Sequence, residues 1–259
     1  MSDVQLIREG PIATLTLDRP DRRNALDPTL LRALAEGIDG VSDDDEVRVV
    51  VLMGAGSAFS AGADIEWMRA SRGLSTEENR ADAIAMAEAF ETLDRCPKAV
   101  VARVHGPAIG GGAGLVACAD VAVAVEGTRF AFAEVRLGIL PASIAPFVLR
   151  KIGPGRAREL FTSGRAFDAA DAADYGLVHH VVAADRLDAT VDEVARTFLA
   201  CGPGAVAANK RLVRDATSSL ELADLPDRIA AARTGDEGQE GATAFLEKRR
   251  PRWQSSGAS

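Results

Sequence analysis

Ala99-Val100-Val101-Ala102-Arg103-Val104 is an almost unbroken apolar run, and it leads directly into His105-Gly106-Pro107-Ala108-Ile109-Gly110-Gly111-Gly112-Ala113-Gly114. A run of that length suits a β-strand covered on both faces. The residues after it are too small to fill a core. Small residues let a ligand approach the backbone and leave amide N–H groups free to donate. Gly110-Gly111-Gly112 then enters an apolar segment, 115–119, that can be helical. Free N–H groups and the positive end of a helix dipole meet there, which suits a developing negative charge. A second stretch has the same build: Val47-Arg48-Val49-Val50-Val51-Leu52-Met53, then Ser57-Ala58-Phe59-Ser60-Ala61-Gly62-Ala63-Asp64. Each loop follows the carboxyl end of a strand, where open α/β sheets place ligands. Side by side, the two could offer one N–H each to a single oxygen, the design of an oxyanion hole. The alternative is that the glycines serve only close backbone packing.

Working outward, Ile12-Ala13-Thr14-Leu15-Thr16-Leu17 is a strand pattern that stops at Asp18-Arg19-Pro20. Asp27-Pro28 opens a helix, with an acid as cap and proline at the first helical position. Leu30, Leu31, Leu34 and Ile38 share one of its faces. Ser75-Thr76-Glu77-Glu78 reads as a capping box, and Ala83, Met86, Phe90 and Leu93 follow at helical spacing. The segment 121–125 is a further strand. Strands recurring between helices predict an α/β fold with βα crossovers. The last third changes character: 185–200, 203–217 and 222–233 all look helical. A boundary near residue 195 is predicted, dividing a strand-and-helix core with the site (1–195) from a helical region (196–259). The polar end, 254–259, is expected to fray.

Composition narrows the function. The 259 residues carry 30 Lys and Arg against 38 Asp and Glu, a formal net charge of -8. Nucleic-acid binding needs clustered cations and is disfavoured. Apolar content of 47% excludes a disordered chain. The start has no basic, apolar leader pattern, and no window is long and apolar enough to span a membrane. Cys96, Cys118 and Cys201 are widely spaced and read as three buried thiols in a reducing cytoplasm. His179 and His180 sit in a short strand pattern, where neighbouring side chains point to opposite faces, so they cannot share a metal. No metal and no cofactor are expected. His105 reads as a structural histidine. Gly112-Ala113-Gly114-Leu115-Val116-Ala117 formally matches the dinucleotide fingerprint, but it lies too far past its strand for the tight turn. Ala58-Phe59-Ser60-Ala61-Gly62 is a loose variant of a hydrolase's nucleophile elbow, again displaced from its strand.

Taken together, these loops resemble those of the enoyl-CoA hydratase/isomerase, or crotonase, family. Leu17-Asp18-Arg19-Pro20 with Asn24-Ala25-Leu26 is similar to the family's opening motif. Phe59 to Asp64 and Gly110-Gly111-Gly112 resemble its two oxyanion-hole loops. Ala133-Glu134-Val135-Arg136-Leu137-Gly138-Ile139-Leu140-Pro141 resembles its catalytic-acid segment, and Phe245-Leu246-Glu247-Lys248-Arg249 with Pro251 and Trp253 its C-terminal signature. The resemblance covers nearly the whole chain. It implies a spiral of ββα units followed by a helical oligomerisation region, assembled as homotrimers or homohexamers. It implies an acyl-CoA thioester whose oxygen sits between the N–H groups of Ala63 and Gly111, with Glu134 as acid and base. Ala61, Asp64, Ile65, Glu66, Gly110 and Gly114 would line the substrate, and Phe245 and Lys248 would reach the nucleotide end of CoA.

Hydratases of the family use two glutamates, one of them two residues after the glycine triplet. Here that position is Gly114, and Glu134 follows it at the family's spacing. One glutamate suffices to move a proton between two carbons, as in an isomerase. It also suffices for hydration if it activates water and returns the proton. The stretch 138–148 resembles a branch that hydrates branched or carboxylated enoyl-CoAs such as methylglutaconyl-CoA, and this favours the hydratase. Arg136, Arg69 and Arg72 are candidates to meet a second carboxylate, and Arg22, Arg23 and Lys248 to meet the phosphates of CoA. A CoA-ester binder without catalysis is the remaining alternative.

Overall fold

The computed structural model describes residues 3–217 and 222–255. The first hairpin is β1 (Val4–Glu9) and β2 (Ile12–Leu17), joined at Gly10 and Pro11; helix α1 (Pro28–Ser42) and strand β3 (Val49–Gly54) follow. Then come α2 (Ile65–Ser71), α3 (Thr76–Arg95), β4 (Ala99–Val104), β5 (Ala108–Ile109), α4 (Gly111–Cys118), β6 (Val121–Val125) and β7 (Arg129–Ala131). A 3₁₀ turn (Glu134–Leu137) leads to α5 (Ala145–Ser163), bent at Gly153-Pro154, then β8 (Ala166–Asp168), α6 (Ala169–Asp174), β9 (His180–Val182) and α7 (Leu187–Leu199). The remaining helices are α8 (Pro203–Ala216), α9 (Leu225–Thr234), α10 (Asp236–Leu246) and α11 (Arg252–Ser255). Of the tail expected to fray, Gln254 and Ser255 end α11, and 256–259 lie outside the described residues.

Alternation along the strands builds two cores. Val50, Leu52, Val100, Ala102, Ala122 and Ala124 face one way, against Leu30, Leu34 and Ile38 of α1, Phe90 and Leu93 of α3, and Leu115 of α4. Val49, Val51, Ala99, Val101 and Val123 face the other way, against Leu187, Val191 and Ala195 of α7. The apolar runs therefore mark strands covered on both sides. The sheet order is β1-β2-β3-β4-β6-β9, parallel apart from the β1–β2 hairpin. Asp27 caps α1, its carboxylate accepting from the Leu30 N–H at 2.9 Å, and Ser75 with Glu78 forms the capping box of α3.

A second layer makes the chain a spiral of ββα turns. In β4-β5-α4 and β6-β7-α5 the first strand joins the large sheet and the second joins a small one, β5-β7-β8. Two earlier turns contribute only single bridges to this layer: Leu26 with Ala63, and Ser60 with Ala108. The mixed α/β core is followed by C-terminal helices. The boundary expected near 195 falls inside α7, and because Ala195 is buried against the sheet, α7 belongs to the core. The layer changes after it, at 200–202. Helix α8 is tied back by Lys210, whose Nζ donates to Asp120 Oδ2 (2.6 Å) and to the Lys98 carbonyl (2.8 Å). Cys96 and Cys118 are buried, but Cys201 is exposed in that same junction, which corrects the expectation of three buried thiols. Among the described residues no helix is long and apolar enough to cross a membrane.

Candidate active site

The two small-residue loops leave adjacent parallel strands, β3 and β4, at the same end, so the sheet itself sets them side by side. They are also joined directly: the Ser60 N–H donates to the Pro107 carbonyl (3.1 Å), and the Ile109 N–H to the Ser60 carbonyl (3.0 Å). Beyond this contact Gly62, with φ +90, turns so tightly against the second loop that a Cβ on it would meet the Ile109 carbonyl oxygen at 2.9 Å. Gly110 has φ 52 and ψ -119, a backbone shape closed to ordinary L residues.

These turns leave two N–H groups unclaimed. Leu26 donates to the Gly62 carbonyl (2.7 Å) and accepts from the Asp64 N–H (2.8 Å). Those bonds flank Ala63, so the N–H of this exposed residue points to the other side. Gly111 is the first residue of α4, where a helix N–H has no partner within the helix. Among the described residues neither group donates to the chain. The arrangement can hold an oxyanion between two backbone donors at a helix N-terminus.

The first loop is clamped from behind by the Arg19–Asp27 segment. Buried Asn24 accepts from the Arg19 N–H (2.9 Å) and donates to the carbonyls of Ala55 and Ala58 (2.8 Å each). Asp64 is buried; its Oδ1 caps α2 by accepting from the Glu66 N–H (2.8 Å), and its Oδ2 lies 3.0 Å from both Arg19 and Arg22. Burial pushes the Asp64 carboxyl up, but the Arg22 guanidinium and the N–H groups of Glu66 and Trp67 outweigh it and hold it below the ordinary range. The Asp64 side chain is thus committed to the scaffold: it caps α2 and pairs with Arg19 and Arg22. Ala61 is half-buried, while Ile65 and Glu66 are exposed beside Ala63.

Glu134 arrives through the second layer. Strand β5 pairs with β7 so that Ile109 stands opposite Ala131, and the Gly110 N–H donates to the Ala131 carbonyl (2.7 Å). Three residues further on, Glu134 lays its carboxyl on Gly110: a Cβ there would meet Oε1 at 2.9 Å. Ala63, Gly111 and Glu134 therefore follow the second-layer segments of successive turns of the spiral. Glu134 forms no ion pair among the described residues, with Arg136 or any other cation, and its buried Oε2 has no hydrogen-bond partner. Burial raises its pKa above the usual carboxylate range. Glu134 is half-buried, and an unpartnered buried oxygen on its carboxyl, beside the loop that carries the free donors, is costly for stability; such a group is a functional candidate.

Gly114 lies one helical turn past Gly110 on α4. A Cβ there would meet Ile144 Cγ2 at 2.3 Å and Phe90 Cε1 at 3.3 Å. The position at which the resemblance implies a second acid in related hydratases is thus walled by hydrocarbon. Phe245 is 84% exposed on α10, and neither it nor Lys248 bonds to either loop among the described residues. Arg69 pairs with Glu66 (2.6 Å), Arg22 with Asp64, and Arg136 packs beside Gly164. His105 Nε2 bonds the Gly56 carbonyl (2.9 Å), and burial keeps the ring's pKa low. His179 Nδ1 accepts from the Ala122 N–H (3.0 Å), so it too serves the backbone. No group of three or more His, Cys, Asp or Glu among the described residues could hold a metal. A cavity of about 580 Å³ beside α4, α5 and α8 contains none of the site residues. Its carboxylates are already paired, Asp94 with Arg150 and Asp120 with Lys210.

Residues 8–256 match the enoyl-CoA hydratase/isomerase family. The chain belongs to that family. Crotonyl-CoA hydratase of Syntrophomonas wolfei is 32% identical over 96% of each chain. Among solved structures, Pseudomonas aeruginosa AtuE is 38% identical with a TM-score of 0.93, covering 97% of this chain and 99% of its own. An enoyl-CoA hydratase from Shewanella pealeana is 34% identical, also with a TM-score of 0.93, covering 97% and 96%. The protein is thus an enzyme of the crotonase family with the family's fold. Its dinucleotide and serine-hydrolase look-alikes are accounted for: Gly112 to Ala117 is the body of α4, and Ser60 is buried, its Oγ donating to the Asn24 carbonyl at 2.8 Å.

Proposed function

We propose that this enzyme adds water across the 2,3 double bond of an enoyl-CoA thioester, with Glu134 as the only acid and base. The observation that carries this reading is the carboxyl of half-buried Glu134, its buried Oε2 unpartnered, lying on Gly110 in the loop that carries the Gly111 N–H. The thioester oxygen sits between those two donors, which polarises the conjugated system and makes C3 electrophilic. Glu134 in its ionised form takes a proton from a water molecule. The water oxygen bonds to C3, the π pair moves to C2, and the negative charge passes to the thioester oxygen. Glu134 then delivers its proton to C2, and the carboxylate is restored. One water is consumed, and both its parts reach the same face, because a single carboxyl serves both.

Ala61, Ile65 and Glu66 line the CoA side of the first loop, with Arg22 and Arg23 near it. The resemblance of 138–148 to a branch acting on branched or carboxylated substrates supports a substrate such as methylglutaconyl-CoA. Exposed Phe245 and Leu246 on α10 suit burial in a homotrimer or homohexamer, where Phe245 and Lys248 could serve a neighbouring subunit's CoA. Free thiols are consistent with a reducing cytoplasm. The test is a panel of enoyl-CoAs, straight-chain, branched and carboxylated, followed by loss of enoyl absorbance. Turnover of at least one supports hydration; binding of acyl-CoA with no turnover of any would leave a non-catalytic binder. One observation favours a second reading: hydrocarbon fills the place of the second acid. A lone carboxyl suffices to shift a double bond from C3 to C2, so 3-enoyl-CoA belongs in the same panel.

A further inference from the structure

Gly110 precedes α4 in a non-helical conformation, and Gly114 lies one turn inside it, its N–H donating to the Gly110 carbonyl (3.0 Å); a Cβ at the first would meet Glu134 and a Cβ at the second Ile144. The wall beside Gly114, one turn along the helix from the glycine that carries Glu134, is built by Ile144 and by Phe90, which also stands 3.4 Å from a Cβ position on Gly111. We infer that Ile144 is a specificity-determining residue of this site: with Phe90 it occupies the space beside Gly114 that a second acidic side chain would need, and so confines the acid–base chemistry to Glu134. The inference rests on the hydration proposed above.

Ile144 cannot easily give way. It is only 3% exposed, and its β-branched side chain is stiff about χ1. Its N–H donates to the Pro141 carbonyl (3.2 Å), its carbonyl accepts from Phe147 and Val148, and Pro146 opens α5 just beyond it. Phe90 is buried and packs on Phe147, ring centroids 6.3 Å apart. A side chain at position 114 and that of Ile144 therefore compete for the same space. Ile144 and Phe90 bring no polar side-chain atom to this wall, so in the proposed reaction the work of orienting and deprotonating water falls to Glu134.

A double-mutant cycle tests the pair. Gly114→Ala alone should lower Tm and cut kcat/KM for the best enoyl-CoA of the panel by tenfold or more. Adding Ile144→Ala should restore most of both. In the larger pair, Gly114→Glu with Ile144→Ala should introduce a second ionisation into the pH profile of kcat/KM that the parent lacks. The inference is overturned if Gly114→Ala matches the parent in Tm and rate, or if Ile144→Ala gives no rescue. It is also overturned if the folded Glu/Ala double variant keeps the parent's profile. Should that variant not fold, the alanine cycle alone decides. A parent that hydrates no enoyl-CoA would defeat the proposed function, whereas the Tm coupling of the pair would still be read independently.

Discussion

Glu134→Gln separates chemistry from stability. The carboxyl lies on Gly110 with one buried oxygen unpartnered, and burial raises its pKa. An acid with a raised pKa in the folded state costs native stability: the penalty is absent below its unfolded pKa and grows as pH rises through that value. Glutamine removes the charge while keeping the shape, so at neutral pH the folded state should lose nothing. Tm should hold or rise by up to ~3 °C, the scale of about 1 kcal/mol in a chain of this size. On the proposed mechanism the same change removes the proton carrier. Hydration should fall by about 10²–10⁴-fold, equivalent to ~3–5 kcal/mol on the barrier. Circular dichroism melting and a spectrophotometric hydratase assay on the same preparation read both quantities. The reasoning is refuted if the variant hydrates within about tenfold of the parent. It is equally refuted if activity disappears together with a large drop in Tm, since Glu134 would then be a structural residue.

Other expectations follow from the same geometry. The acid limb of the pH profile of kcat/KM should lie above the ordinary glutamate value of 4.5, rising with pH as Glu134 ionises; a limb at or below that value would place another group in its role. Gly110→Ala forces an L side chain into a positive-φ shape and onto Glu134, and should cost ~1–3 kcal/mol of stability with most of the activity; unchanged kcat and Tm would contradict the placement of that loop. Asp64→Ala removes a helix cap and strips Arg19 and Arg22 of a partner, and should destabilise by ~2–4 kcal/mol in urea unfolding, while Asp64→Asn should retain part of the cap. Arg249 holds the Glu240 carboxyl down to about 2, so the stabilisation it gives α10 is present above the ordinary value of 4.5 and lost as pH falls from there toward 2. Acid titration of the parent, against Glu240→Gln as control, should show that difference.

The main strands and helices were legible because burial writes itself into the order of residues. Continuous apolar runs announced β3, β4 and β6, and Asp27-Pro28 and Ser75 to Glu78 announced two helix starts. Strand β1 was not legible, because five of its six residues face solvent at the sheet's edge. Strands β5, β7 and β8 have two or three residues each and exist only through pairing across turns of the spiral, which no local pattern encodes. The site divides in the same way. Its two loops were visible as small-residue segments after strands, and the glycine at 114 stood out only against the pattern of the family that the chain resembles. What packs against that glycine was not visible, since Ile144 lies thirty residues further on and only packing brings it back. The cap role of Asp64 was legible but not drawn: an acid just before a helical stretch is a cap signal, and its side chain caps α2. Asn24 stood in the stretch similar to the family's opening motif, but nothing local announced that it binds three backbone groups from a positive-φ turn.

The most direct measurement follows oxygen. The enzyme is incubated in ¹⁸O-labelled water with crotonyl-CoA, with the best substrate of the panel and, separately, with a 3-enoyl-CoA, and the products are read by mass spectrometry. One labelled oxygen at C3 of a 3-hydroxyacyl-CoA, lost in Glu134→Gln, is the result expected of a single-carboxyl hydratase. Conversion of the 3-enoyl-CoA to its 2-enoyl isomer, with no label entering any product, would contradict it.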